Sequence, residues 1–212
     1  EGDVTKGGQP AQRSRLLELL GRNSLLCNDP ELFQADGKWK VEGDPTEGAL
    51  VVAAAKMGYW KSSLDSSFPR TAELPFDSER KRMTTVHHLA QYDPTVLSGL
   101  EIGDTRYIAF TKGGIDGLLD ITSHVWANGK LVAIDDEWKM RIEAANERLA
   151  KKGMRVLGVG FRLLNSVPDI LQTELEQNIT LVGLFGMIDP PRAEVKDAVA
   201  VAKAAGIRPI MI

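Results

Sequence analysis

The sequence predicts an α+β fold, a mostly antiparallel twisted sheet flanked by helices, and three observations carry that expectation. Strand-like runs follow one another at Arg70–Phe76, Lys81–Leu89 and Thr105–Lys112, with Asp77-Ser78-Glu79 as the turn between the first two, a spacing that favours antiparallel pairing. Asn128-Gly129 lies between apolar residues from Val125 to Ile134, the strongest short hairpin signal. Leucines 16, 17, 19, 20, 25 and 26 recur at helical spacings, and Trp138, Ile142, Ala145 and Leu149 fall on one face of a second helix.

Each element follows in order. Residues 1 to about 13, with Gly7, Gly8 and Pro10 among polar neighbours, read as a linker before the leucine-rich helix. A short alternating strand spans Lys38–Glu42. Asp44-Pro45-Thr46-Glu47 then opens a helix: Asp44 can cap, Pro45 suits the first turn, and Glu47 stands three after the cap, where a reciprocal capping bond would form. Gly58 ends it. After the three central strands and the hairpin, Asp135 caps the helix of Trp138, which Gly153 closes. Met154–Arg162 and Asn178–Ile188 are further strands, and the second is apolar enough to be buried on both faces.

Last come Asp189-Pro190-Pro191-Arg192, a helix from about Ala193 to Ala205, Gly206 as its stop, and a strand at Ile207–Ile212. This strand-helix-strand tail contrasts with the meander before it. A domain boundary is therefore expected at the two prolines, with residues 1–188 as one domain, 189–212 as a hinge and the start of another, and the whole as part of a longer chain.

Composition narrows the function. The 212 residues are 43% hydrophobic and 26% charged, which suits a folded globular chain. A net charge of -3 provides no global field for nucleic acid, so any polyanion contact has to be local. Cys27, the one cysteine, is read as a small buried hydrophobe rather than a metal or disulfide ligand. The longest apolar run, Ala49–Ala55, is far short of the ~20 residues of a membrane span, and the start carries no signal peptide. Neither common phosphate-cradling glycine motif occurs, nor Gly-x-Ser-x-Gly, and His87, His88 and His124 have no zinc-binding spacing.

Several short segments could carry chemistry. Phe76 precedes a turn that brings Arg80, Lys81 and Arg82: an exposed ring stacks on a purine and a cation complements phosphate, although on this segment alone a strand-end core phenylalanine is the simpler reading. Lys112-Gly113-Gly114 closes a strand and opens a short helix at Ile115–Leu119, as a ligand-approach loop or a plain turn. Glu47 could accept from the exocyclic amine of a base, or cap its helix. Arg155 interrupts an apolar strand, where it either faces inward toward an anion or sits at an edge in solvent. Trp39, Trp60, Trp126 and Trp138 are assigned to the core.

Taken together and in order, Cys27-Asn28-Asp29, the run from Gly43 to Leu50, Phe76 to Met83, Lys112-Gly113-Gly114, Gly153 to Leu157, and Gly186 to Arg192 resemble the nucleotide-binding domain of P-type cation-transporting ATPases. The resemblance covers about Leu16 to Ile212, and the calcium-pump branch is the nearer pattern; the Ser-Glu-His-Pro motif of heavy-metal pumps is absent. It implies ATP as the ligand. Phe76 would stack on adenine, Glu47 would lie near its amino group, and Lys112, Gly113 and Gly114 would line the base and ribose pocket. Arg155 would reach the phosphates, Ser78, Lys81 and Met83 would form the pocket wall, and Asp189 and Arg192 would sit at the hinge.

The resemblance further implies a cytoplasmic domain of an integral membrane protein, whose partners are the phosphorylation and actuator domains of the parent pump. It implies a monomer without nucleic-acid or membrane contact of its own. The chain departs from the family at Gly114-Ile115-Asp116, where Ala-Pro-Glu commonly follows Lys-Gly, and the phosphorylation motif Asp-Lys-Thr-Gly-Thr is not in the sequence. The expectation is therefore ATP binding without turnover, with Mg²⁺ held in the parent enzyme by residues outside this sequence. Two other classes remain: an interaction domain with a degenerate nucleotide pocket, and a haloacid-dehalogenase-type phosphatase, which would need an Asp-x-Asp or Asp-Lys-Thr near the start that the chain lacks.

Overall fold

Local sequence sets the first elements of the computed structural model, which describes residues 3–64, 66–89, 103–169, 174–190 and 192–210. The segment expected as a linker instead forms a small hairpin, β1 (Thr5–Lys6) and β2 (Gln9–Pro10), because Gly7 and Gly8 both take positive φ. Helix α1 (Arg15–Leu26) starts at Ser14, whose side chain accepts from the Leu17 amide. Next comes a separate antiparallel hairpin, β3 (Glu31–Ala35) and β4 (Lys38–Glu42). Sequence reading found only its second strand, since the first lacks alternation; Asp36-Gly37, at φ 54° and 70°, makes the turn. Helix α2 (Pro45–Lys56) and the short α3 (Lys61–Leu64) follow, with Gly58 at φ 86° after α2.

The strands predicted in the middle of the chain form the main sheet. They are β5 (Arg70–Asp77), β6 (Arg82–His88) and β7 (Tyr107–Gly113), followed by α4 (Ile115–Leu119). β8 (Thr122–Ala127) and β9 (Lys130–Ala133) pair through Asn128 and Gly129 at φ 51° and 79°, the primed turn that Asn-Gly favours. Helix α5 (Asp136–Ala150), capped by Asp135, leads to β10 (Arg155–Leu164) and β11 (Ile179–Met187). The seven strands run β5-β6-β7-β10-β11-β8-β9, antiparallel except for β11 against β8.

Helix α6 (Val195–Ala204) ends at Gly206, but the strand expected at 207–212 does not form over 207–210, and residues 211 and 212 lie outside the described residues. Ile207 and Ile210 are exposed, and no described strand lies beside them to supply a ladder. β11 is buried from Ile179 to Val182 and only partly beyond, so double burial holds for its first half.

Among the described residues the core forms three clusters, two of them packed under helices. On one sheet face, Ile108, Phe110, Val159 and Phe161 pack under Leu19, Leu25 and Leu26 of α1 and Val51 of α2. On the other, Ile115, Leu118 and Ile142 of α4 and α5 cover Val125, Ile179 and Leu181. Cys27 is fully buried, and burial pushes its thiol pKa up. Of the tryptophans assigned to the core, Trp126 is buried and Trp138 packs against the second cluster. Trp39 and Trp60 instead form an exposed pair with ring centroids 5.2 Å apart, because the β3–β4 hairpin stands outside the main sheet.

His87, 2% exposed, places Nδ1 2.8 Å from the Phe68 carbonyl and Nε2 3.0 Å from the Thr85 hydroxyl. Burial depresses its pKa to about 4 from 6.5. The unfolded chain then binds a proton that the native state refuses, so the His87 contribution is complete above pH 6.5 and declines as pH falls toward 4. Urea unfolding between these limits is expected to lose up to about 1.4 kcal/mol per pH unit relative to His87→Gln, whose series lacks that slope. Parallel slopes for the two proteins would refute the assignment.

Candidate functional site

Between the start of α2, β5 and strands β7 and β10 lies a cleft of about 280 Å³ lined by Asp44, Thr46, Glu47, Phe76, Lys112, Gly113, Arg155 and Leu157. A larger cavity lies between α5 and β11, and another beside Tyr59 and Trp60. The Phe76 cleft is the candidate site because an exposed ring, two cations and two carboxylates converge there.

One wall is the start of α2. Asp44 Oδ1 accepts from the amides of Thr46 and Glu47 at 2.9 and 3.0 Å, and these bonds, that to Glu47 first, hold its pKa below the usual carboxylate value. With the cap supplied by Asp44, Glu47 makes no reciprocal capping bond. Its Oε1 instead accepts from Lys112 Nζ at 2.6 Å, and its Oε2 from the Asp29 amide at 3.2 Å. Lys112, 5% exposed, also donates to Oδ1 of Asn28, which is fully buried. The cleft floor is therefore a closed knot of an ammonium, a carboxylate and an amide.

Phe76 forms the opposite wall. β5 is an edge strand and therefore tolerates Pro75, and its register slips between Leu74 and Asp77. Phe76 stands at that irregularity, 60% exposed, which overturns the reading of a core phenylalanine. The turn after it is fixed by Asp77, whose Oδ1 accepts from the amides of Glu79 and Arg80, the bond to Arg80 chiefly lowering its pKa.

Two of the cations of that turn, Arg80 and Arg82, are not free for an anion. The buried Glu176 carboxylate accepts from Arg80 Nη1 at 2.6 Å, Arg82 Nε at 2.7 Å and the Thr84 hydroxyl at 2.9 Å. Arg155 differs. It begins β10 on the exposed side, not inward, and its Nη1 donates to the Thr46 hydroxyl at 2.8 Å, with no carboxylate in contact. Thr46 and Arg155 also line an adjoining groove of about 460 Å³ with Pro45, Ala49, Met187, Ile188 and Asp189. Cleft and groove thus form one trough, neutralised at the Lys112 end and cationic in its middle.

Of the residues expected from sequence, the cleft brings together Glu47, Phe76, Lys112, Gly113 and Arg155, and its continuation includes Asp189. Ser78, Lys81, Gly114 and Arg192 are not among its lining residues. Met83 is 2% exposed in the core, opposite Lys112 in the ladder, so the core claims its side chain. Pro191 lies outside the described residues. Asp44, Thr46 and Leu157 line the cleft without having been singled out. Thr46 and Leu157 lie one and two residues from sites that were, and strand period places Leu157 beside Arg155. Among the described residues, no three His, Cys, Asp or Glu side chains cluster as a metal site.

Residues 16–194 match the family described as P-type ATPase, cytoplasmic domain N. The chain is 40% identical over 194 residues to calcium-transporting ATPase 1 of Bacillus cereus, covering 92% of this chain and 20% of that protein. It is 37% identical over 195 residues to calcium-transporting ATPase 1 of Lactococcus lactis, with the same shares of 92% and 20%. A calcium-transporting ATPase of Bacillus subtilis is 34% identical over 187 residues, 88% of this chain and 20% of that one. The chain therefore spans about a fifth of the length of these relatives.

The paired glycines do different work. A Cβ on Gly113 would lie 2.5 Å from Arg82 Cβ and 2.8 Å from the Lys81 carbonyl oxygen, whereas one on Gly114 meets nothing within 4 Å. Gly113 is thus required for strand packing. In urea denaturation, Gly113→Ala is expected to lose about 1–3 kcal/mol, the cost of overpacking, and Gly114→Ala to stay near wild type. Equal stabilities would contradict this division.

Proposed function

Because the chain belongs to the family of P-type ATPase cytoplasmic N domains, we propose that the Phe76 cleft holds the adenine of ATP and directs the triphosphate along the trough past Arg155 toward Asp189. The observation that carries this reading is the exposed Phe76 ring facing a floor where Lys112 is already paired with Glu47, with Arg155 in no ion-pair contact at the far side. A neutral heteroaromatic base fits the first region and an anion the second. Stacking supplies most of the base affinity, Glu47 and Lys112 supply a polar edge, and the Arg155 guanidinium matches phosphate geometry. Asp44 disfavours phosphate near the α2 start and so orients the anionic end toward Arg155.

The outer residues take supporting parts in this reading. Met83 stands beside Lys112 on the neighbouring strand, Gly113 lets β7 close against β6, and the turn of Ser78 and Lys81 holds Phe76 at the rim. Gly114 borders the ribose side, and Asp189 and Arg192 stand at the phosphate end, where residues 1–188 pass into a hinge and 189–212 begin the return to a phosphorylation domain. The sequence contains no Asp-Lys-Thr-Gly-Thr, so this chain binds ATP and leaves phosphoryl transfer to an aspartate of that other domain. Mg²⁺ enters with the triphosphate and takes no assigned ligand from this chain. In the parent, closure of this domain against the phosphorylation and actuator domains couples ATP use to cation movement on the cytoplasmic side of a membrane. Calcium is the cation that the relatives' names favour. No helix among the described residues is long and apolar enough to cross a membrane.

ATP is expected to bind this chain with a Kd of about 1 mM, since no second domain clamps the phosphates. Titration followed by amide shifts should move the signals of Phe76, Lys112 and Arg155 together. Phe76→Ala should weaken binding about tenfold or more, the value of one stacked base, with an unchanged circular dichroism spectrum. Static signals at ~10 mM ATP, or full affinity in Phe76→Ala, would reject the assignment.

A further inference from the structure

A lysine side chain is long and flexible, so an ammonium at the floor of a cleft needs something other than its own strand to fix it. Two partners do so here, and both are governed by the segment that leaves α1. Asn28 Nδ2 donates to the Ser24 carbonyl at 2.7 Å, which orients the amide and turns Oδ1 to Lys112 Nζ. The Asp29 amide, next in the chain, holds the Glu47 carboxylate that is the second partner of Lys112.

The segment itself is pinned from outside. Arg70 Nη2 donates to the carbonyls of Leu26 and Asn28 at 3.0 and 3.2 Å, its Nη1 donates to Asp29 Oδ1 at 2.8 Å, and Lys61 Nζ donates to the Asp29 carbonyl at 3.3 Å. Asn28 is fully buried, so water does not compete for its oxygen. An ammonium has three N–H donors; Asn28 and Glu47 take two, and one is left for the cleft.

We propose that Asn28 is the positioning residue that sets the Lys112 ammonium for the nucleotide base, touching no ligand itself. The inference rests on the ATP reading and adds a residue to it. The test is a cycle of ATP titrations on wild type, Asn28→Ala, Lys112→Met and the double variant. Each single change weakens ATP binding roughly tenfold, the scale of a lost charged hydrogen bond. The double variant binds no more weakly than Lys112→Met, because Asn28 acts only through that ammonium.

Equal losses from Asn28→Ala in both backgrounds, as a general structural role would give, overturn the proposal, as does an Asn28→Ala protein with wild-type affinity. Absence of ATP binding by wild type overturns the ATP reading and this inference with it. Should Asn28→Ala fail to fold, Asn28→Ser is followed by nitrogen-15 spectroscopy of the Lys112 ammonium without nucleotide. Loss of its slowly exchanging proton signal supports the proposal, and a persistent signal rejects it.

Discussion

A lysine ammonium that is 5% exposed has to be surrounded by oxygen, and in this chain that requirement ties together segments far apart in sequence. Asn28 arrives at the end of α1, Glu47 in the first turn of α2, and Lys112 from the middle of the sheet. None can shift alone without leaving a buried charge or amide unpaired, which costs on the order of several kcal/mol. Both helices are therefore locked onto one edge of β7, and the gap left between α2 and Phe76 has a fixed width. The cleft is a consequence of that lock more than of any single lining residue.

Charge is apportioned in the same way around it. Glu176, inside the fold, absorbs Arg80 and Arg82 and braces the turn that presents Phe76. Arg70, shared between Asp29 and Glu73, braces the α1 exit. Lys112 is taken by Glu47. Arg155, bonded to a neutral hydroxyl, makes no ion-pair contact, although its charge helps to lower the Asp44 pKa. A floor where Lys112 is paired with Glu47, beside a guanidinium held by one hydroxyl, discriminates along its length, favouring a flat apolar group at one end and an anion at the other. That polarity would be lost if all the basic residues flanking Phe76 in sequence were available to a ligand.

Much of this was legible in the sequence, for reasons that differ by residue. Asp44 and Asp135 caps, the Asn-Gly hairpin and the strand run from Arg70 onward are local rules, and the structure follows them. Phe76 was recognisable as special only through its motif, because its exposure arises from an edge-strand irregularity that no propensity records. The capping alternative for Glu47 fails, and spacing alone could not reveal why, because Lys112, 65 residues later, comes within 2.6 Å. The neutralisation of Arg80 and Arg82 was equally hidden, because Glu176 lies more than ninety positions away. Sequence rules failed where a long-range polar contact decided the outcome, and those contacts are the ones that build the site.

The two ends of the trough are built to different stiffness, and that difference bears on how such a domain can serve a larger enzyme. Around Lys112 every polar group has several partners, so this end of the trough is pre-organised and costs little to occupy. Around Arg155 a single bond to Thr46 fixes the guanidinium, and beyond it β11 ends at Met187 and the chain passes through Asp189 and Pro190, both exposed. A ligand gripped firmly at its base and loosely at its phosphates keeps its reactive end available to another surface. On the ATP reading, phosphates caged as tightly as the base would spend binding energy on the ground state and hold back the reactive end. On the ATP reading proposed above, weak binding in isolation suits a trough that leaves the phosphates open to another surface.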